Sequence, residues 1–164
     1  MINACDPNMG FKPPSASKVE MTEMVLPNDA NGLGNLLGGR LMHWIDIAGA
    51  IVASRHSGHT VVTVAVDSLD FKEPIKVGEL VILRGKITWS GRTSMEVAVD
   101  VYGENLTTSQ RRLTNEAYLT FVALDDNGHP TPVPCVSPET PDEHKAFQDA
   151  IIRREQRLKR RSRE

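Results

Sequence analysis

Between Gly38 and His56 the chain reads GGRLMHWIDIAGAIVASRH, an apolar run too long for a strand, with Leu41, Ile45, Ala48 and Val52 at helical spacing. This spacing predicts a buried helix closed near Gly58. Ahead of it, VEMTEMVLP at 19–27 reads as a strand ended by Pro27 and a turn-rich segment. After it come only strand-like stretches: TVVTVAVDSLDF at 60–71, ELVILRGKITW at 79–89, SMEVAVDVYGE at 94–104 and RRLTNEAYLTFVAL at 111–124. In the third stretch Met95, Val97, Val99 and Val101 alternate with Glu96, Asp100 and Tyr102, the pattern of a sheet with one wet face. The short links between these stretches favour antiparallel neighbours. One long helix laid against such a sheet is an α+β domain, and Ala48, Gly49 and Ala50 are small enough to let the helix sit close.

A chain of 164 residues can bury one sizeable core without staples. Residues 1–17, with three prolines and a glycine, read as a flexible leader; 18–135 form the domain; 136–164 form a basic helical tail. Thr140-Pro141-Asp142-Glu143 has the form of a capping box with proline at the first helical position. From Lys145 onward eight Lys/Arg face three Asp/Glu, giving the tail +5 and the rest of the chain −7. A solvated basic helix is the ordinary reading of such a run, and an anion contact the sharper one. Cys5 and Cys135 lie outside the patterned region and are expected as free thiols. No apolar run reaches the ~18 residues of a membrane helix, and the amino terminus lacks the apolar core of a secretory signal. The expectation is a cytoplasmic protein with no membrane insertion, no nucleic-acid partner, no metal and no cofactor.

Asp46 is the only formally charged side chain between Arg40 and Arg55, on a strip with Met42, Gly49 and Ala53. A carboxylate there is costly unless paired, hydrogen-bonded or facing a cavity. It reads either as a structural Asp reaching the helix edge or as a general base or nucleophile. The second candidate is NGLGNLLGG at 31–39, where glycines ahead of a helix let backbone N–H groups approach a carbonyl. Such loops are commonly only turns, and Asn31 and Asn35 are ordinary turn formers. Thr63 is either β-branched filler or a hydroxyl of use. Arg92, Arg111 and Arg112 stand at strand ends, where solvation is the usual role and phosphate binding the alternative. His43, His56 and His59 do not converge on a ligand set.

Taken together, NxxGNxxGG at 31–39, the helix with Asp46, VVTVAVDSLDFKEPIKVGELV at 61–81 and GRTSMEV at 91–97 resemble the acyl-CoA hydrolase branch of the hotdog-fold thioesterases. The resemblance spans roughly residues 20–134. It implies a helix wrapped by an antiparallel sheet and a homo-oligomer, at least a dimer and beyond that a hexameric trimer of dimers. It further implies hydrolysis of fatty acyl-CoA at a site shared between protomers, with Asn31, Asp46 and Thr63 as its catalytic residues. The thioester carbonyl would be polarised near Gly38, Gly39 and Arg40, and CoA held by Arg92, Ser94, Arg111 and Arg112. A hotdog hydratase or dehydratase and a non-catalytic acyl-CoA sensor are the competing readings; the first needs a well-placed His with an acidic partner, the second a fused effector domain.

Overall fold

A computed structural model describes residues 4–67 and 69–164. The chain runs β1 (Phe11–Lys12), β2 (Val19–Met24), α1 (Gly38–Ser57), β3 (Thr60–Asp67), β4 (Leu80–Ser90), β5 (Ser94–Asn105), β6 (Gln110–Leu124), β7 (Cys135–Val136) and α2 (Pro141–Arg161). The main sheet has five strands in the order β2-β4-β5-β6-β3, every neighbour antiparallel. Helix α1 lies across one face, so the α+β hotdog arrangement is the observed one. Leu41, Ile45, Ala48 and Val52 are all buried against the inward row Met95, Val97, Val99 and Val101. The close approach rests on Gly49, where an added Cβ would stand 2.9 Å from the Phe121 ring. Gly58 ends α1 at φ 72°, its N–H donating to the Ser54 carbonyl.

The outer face of the sheet is not wet throughout. Helix α2 crosses it, started by the capping box at Thr140 and Glu143, and Glu96 beneath it is only 2% exposed. The basic tail is therefore partly docked. Arg153 grips the Glu96 carboxylate through two N–H donors at 2.7 and 3.2 Å and stacks 3.7 Å from the Tyr118 ring centroid. Arg154 lies over Trp89, and Arg157 pairs with Asp67 at 2.7 Å. This interaction set was invisible to a reading of charge along the chain, because the carboxylates lie on strands remote in sequence.

Residues 4–17 also carry structure. Strand β1 pairs in parallel with β7, Pro14 and Ser17 are buried, and the Lys12 ammonium donates to the carbonyls of Arg55 and His56 at the end of α1. The expectation of two free thiols is corrected here: Cys5 and Cys135 form a disulfide across a separation of 130 residues. Their pairing depends on β1 and β7, two-residue strands too short to leave a periodic pattern. No helix among the described residues is long and apolar enough to cross a membrane.

Candidate active site

Strand β3 forms one edge of the main sheet, and it contains an irregularity beside Thr63. Thr63 pairs with Phe121 and Ala65 with Thr120, which leaves Val64 as an extra residue in a bulge. Phe121 faces α1, and so does Thr63 opposite it. The Thr63 hydroxyl donates to Asp46 Oδ1 at 2.6 Å. Asp46 is half-buried on the middle of α1, and the one carboxylate of that apolar helix is engaged by a hydroxyl.

The Gly-rich loop is folded around Asn31. Its side-chain oxygen accepts from the amides of Leu33 and Asn35 at 2.9 and 3.2 Å, and its backbone N–H donates to the Asn35 carbonyl at 2.8 Å. The Asn31 side-chain amide makes no hydrogen bond among the described residues. At the start of α1, Leu41 N–H closes the first turn onto Leu37, while the amides of Gly38, Gly39 and Arg40 have no partner among the described residues. Arg40 itself pairs with Asp29 at 3.1 Å, and an added Cβ at Gly39 would meet nothing within 4 Å. Three amide donors, with open space over Gly39, and the positive end of a 20-residue helix make a place where a carbonyl oxygen gaining charge can be stabilised. Asn31, Leu36, Gly38, Leu41, Phe71 and Ile75 border a largely apolar cavity of about 350 Å³ beside it.

The remaining nominated residues do not converge. Ser94 and Arg92 lie at one end of β5, and Arg111 and Arg112 opposite its other end, about 33 Å away along the strand. Ser94 Oγ accepts from Arg154 at 3.5 Å, and Arg92 is exposed without an ion pair among the described residues. Arg111 and Arg112 are both held by carboxylates of this chain. Arg111 pairs with Glu104 at 3.1 Å, and Arg112 pairs with Glu79 at 2.9 Å and Glu73 at 3.1 Å. The Arg112 hydrogen bond, against a smaller opposing effect of burial, holds the Glu79 carboxyl below its usual range. His56 is buried with its Nε2 2.8 Å from the Pro134 carbonyl, and no group of three or more His, Cys, Asp or Glu among the described residues is placed to hold a metal.

Known proteins of similar sequence and shape share this arrangement of helix and sheet. Residues 33–109 match the thioesterase superfamily. An acyl-CoA thioester hydrolase of Bacillus subtilis, itself uncharacterized, is 45% identical over 88% of this chain and 84% of its own. A hexameric acyl-CoA thioesterase solved without ligand is 44% identical, with a TM-score of 0.89 over 92% of this chain and 96% of that one. The acyl-CoA hydrolase of Staphylococcus aureus, solved with butyryl-CoA, CoA and CoA disulfide, is 39% identical with a TM-score of 0.87, covering 93% of each chain. Variants of that hydrolase with alanine in place of one aspartate, one threonine and one asparagine have also been solved. The chain belongs to the thioesterase superfamily and is one of its hotdog-fold acyl-CoA thioester hydrolases.

Proposed function

We propose that this enzyme hydrolyses fatty acyl-CoA to a free fatty acid and CoA, with Asp46 as the base that activates water. The observation that carries the reading is the 2.6 Å hydrogen bond from Thr63 to Asp46 Oδ1, which orients the carboxylate and leaves Oδ2 to take a proton. The thioester carbonyl lies at the start of α1, where the Gly38, Gly39 and Arg40 amides and the free side-chain amide of Asn31 donate to its oxygen. Charge that develops there in the tetrahedral intermediate meets donors already in place. The apolar cavity beside Asn31 takes the acyl chain, and exposed Arg92 with Ser94 meets the CoA phosphates. In the Staphylococcus enzyme the three positions replaced by alanine are spaced along the chain as Asn31, Asp46 and Thr63 are here, which supports this assignment.

The working unit is a homo-oligomer built from dimers, up to a hexamer. Strand β3 has an unpaired edge in the single chain, and Val62, Val64 and Val66 along it are 41–44% exposed, apolar surface that a second copy would cover. Incubation with palmitoyl-CoA and a thiol reagent tests the reaction. CoA release at a rate proportional to enzyme is expected, whereas tight binding of palmitoyl-CoA without release would assign the chain to sensing instead of hydrolysis.

A further inference from the structure

The segment that follows β3 places an aromatic ring against the start of α1. A Cβ built on Gly38, the first residue of the helix, would stand 3.2 Å from Phe71 Cζ, so the tip of the ring stands against the glycine beside the unpartnered amides. Phe71 is nevertheless 56% exposed. Burial therefore does not hold it there, and its backbone must be fixed by other groups.

Those groups come from two sides. On one, the Leu36 N–H donates to the Ile75 carbonyl at 2.7 Å and the Val77 N–H to the Gly34 carbonyl at 3.0 Å, stitching the segment to the Gly-rich loop. On the other, β6 supplies two side chains. The Asn115 amide donates to the Asp70 carbonyl, and Arg112 donates to the Pro74 carbonyl at 2.8 Å while pairing with Glu73 and Glu79. A bulge shapes this part of β6: Val101 pairs with Asn115 and Tyr102 with Leu113, leaving Thr114 between them, and both Thr114 and Asn115 are fully buried. The clamps at Asp70 and Pro74 bracket Phe71.

We infer that Phe71 is a substrate-contacting residue that forms one wall of the acyl pocket and sets its chain-length preference, with Asn115 and Arg112 as positioning residues that hold the segment carrying it. The inference rests on the proposed placement of the acyl chain in the cavity beside Asn31. An aromatic wall discriminates between chains by how many methylenes contact it, and one methylene in such a pocket changes kcat/KM by roughly 10–200-fold. Losing the wall therefore changes rates unequally along an acyl series, whereas a purely structural ring would change them all alike.

The test is kcat and KM for butyryl-, octanoyl- and palmitoyl-CoA with wild type, Phe71→Ala, Phe71→Leu, Asn115→Asp and the Phe71→Ala/Asn115→Asp double variant. Expected is a change of about tenfold or more in the ratio of kcat/KM between the shortest and longest substrates for Phe71→Ala, with Phe71→Leu keeping most of the wild-type ratio. Asn115→Asp, which cannot donate to the Asp70 carbonyl, shifts the ratio in the same direction, and the double variant shifts it no further than Phe71→Ala alone. An equal change at all three lengths in Phe71→Ala would overturn the role of Phe71, and additive shifts in the double variant would overturn that of Asn115. Wild-type protein inactive on every chain length would instead overturn the proposed reaction, so the two failures are distinguishable.

Discussion

Thr63 and Asp46 are joined by a 2.6 Å hydrogen bond that ties the sheet's edge strand to the middle of the central helix. Replacing Asp46 by Asn keeps the shape and removes the proposed base, so turnover should fall by about 10²–10⁴ with the fold retained. Thr63→Val removes only the orienting donor and should cost about tenfold. Steady-state rates with palmitoyl-CoA, with circular dichroism to confirm folding, check both; normal turnover in Asp46→Asn would remove Asp46 from the mechanism. In a single turnover in heavy-oxygen water the label should enter the fatty acid and not the protein, and label in Asp46 would mean direct attack.

The bidentate contact of Arg153 with Glu96 stands under α2, where the carboxylate also accepts a 2.7 Å hydrogen bond from the Thr88 hydroxyl. Removing one partner leaves the other charge in a poorly solvated place. Arg153→Met should therefore destabilise the fold by about 3–5 kcal/mol, and Glu96→Gln made in the same chain should return part of that loss. Urea unfolding of the two single variants and the double variant measures it. A double variant as unstable as the sum of the singles would show that the charges are not coupled.

The central helix was legible because its signal is local: Leu41, Ile45, Ala48 and Val52 mark their own face, and each is buried as that spacing predicts. Asp46 stood out for the same reason, as a lone charge on an apolar helix. Glu96 was misread as solvent-facing because its cover, α2, lies far along the chain, and alternation reports which face a residue is on but not what packs over that face. Arg111 and Arg112 read along the chain as solvated strand-end groups or phosphate binders, and their carboxylate partners are hidden there because an arginine's partner depends on register; Glu104 lies directly across from Arg111, and Glu79 reaches Arg112 only in the folded sheet. The bulge at Val64, which belongs to the pairing of two strands, left no mark in either strand alone.

His56 gives the fold a dependence on pH. Burial, opposed in part by its hydrogen bond to Pro134 and aided by nearby Lys12, pushes the imidazole below its ordinary value of 6.5. The unfolded chain then takes up a proton near pH 6.5 while the native chain does not. Stability is thus fully present above about pH 7 and falls as the pH drops below 6.5. Glu79 and Glu143, both held below the usual carboxylate range, act only at lower pH. Urea midpoints at pH 7.5 and 5.5 should differ in wild type, and the difference should shrink in His56→Gln; an undiminished difference would assign the dependence to other groups.

The last prediction concerns which chain completes the site. Asn31 precedes α1, and Asp46 lies eight residues along that helix from Gly38, a rise of about 12 Å. No hydrogen bond joins Asn31 to Asp46 among the described residues, and the cavity bordered by Asn31 does not include Asp46. A second copy docked along the β3 edge would bring its own α1 beside the first and carry its Asn31 loop toward the neighbouring Asp46. Asn31→Ala and Asp46→Ala chains should then be nearly inactive alone and regain activity when co-expressed. In a mixed dimer one site holds both lesions and the other holds neither; random pairing makes about half the dimers mixed, so activity should return to about a quarter of wild type. Differential tags on the two chains allow mixed oligomers to be isolated by tandem pull-down and assayed. Mixed oligomers without recovered activity would place both residues of each site in one chain.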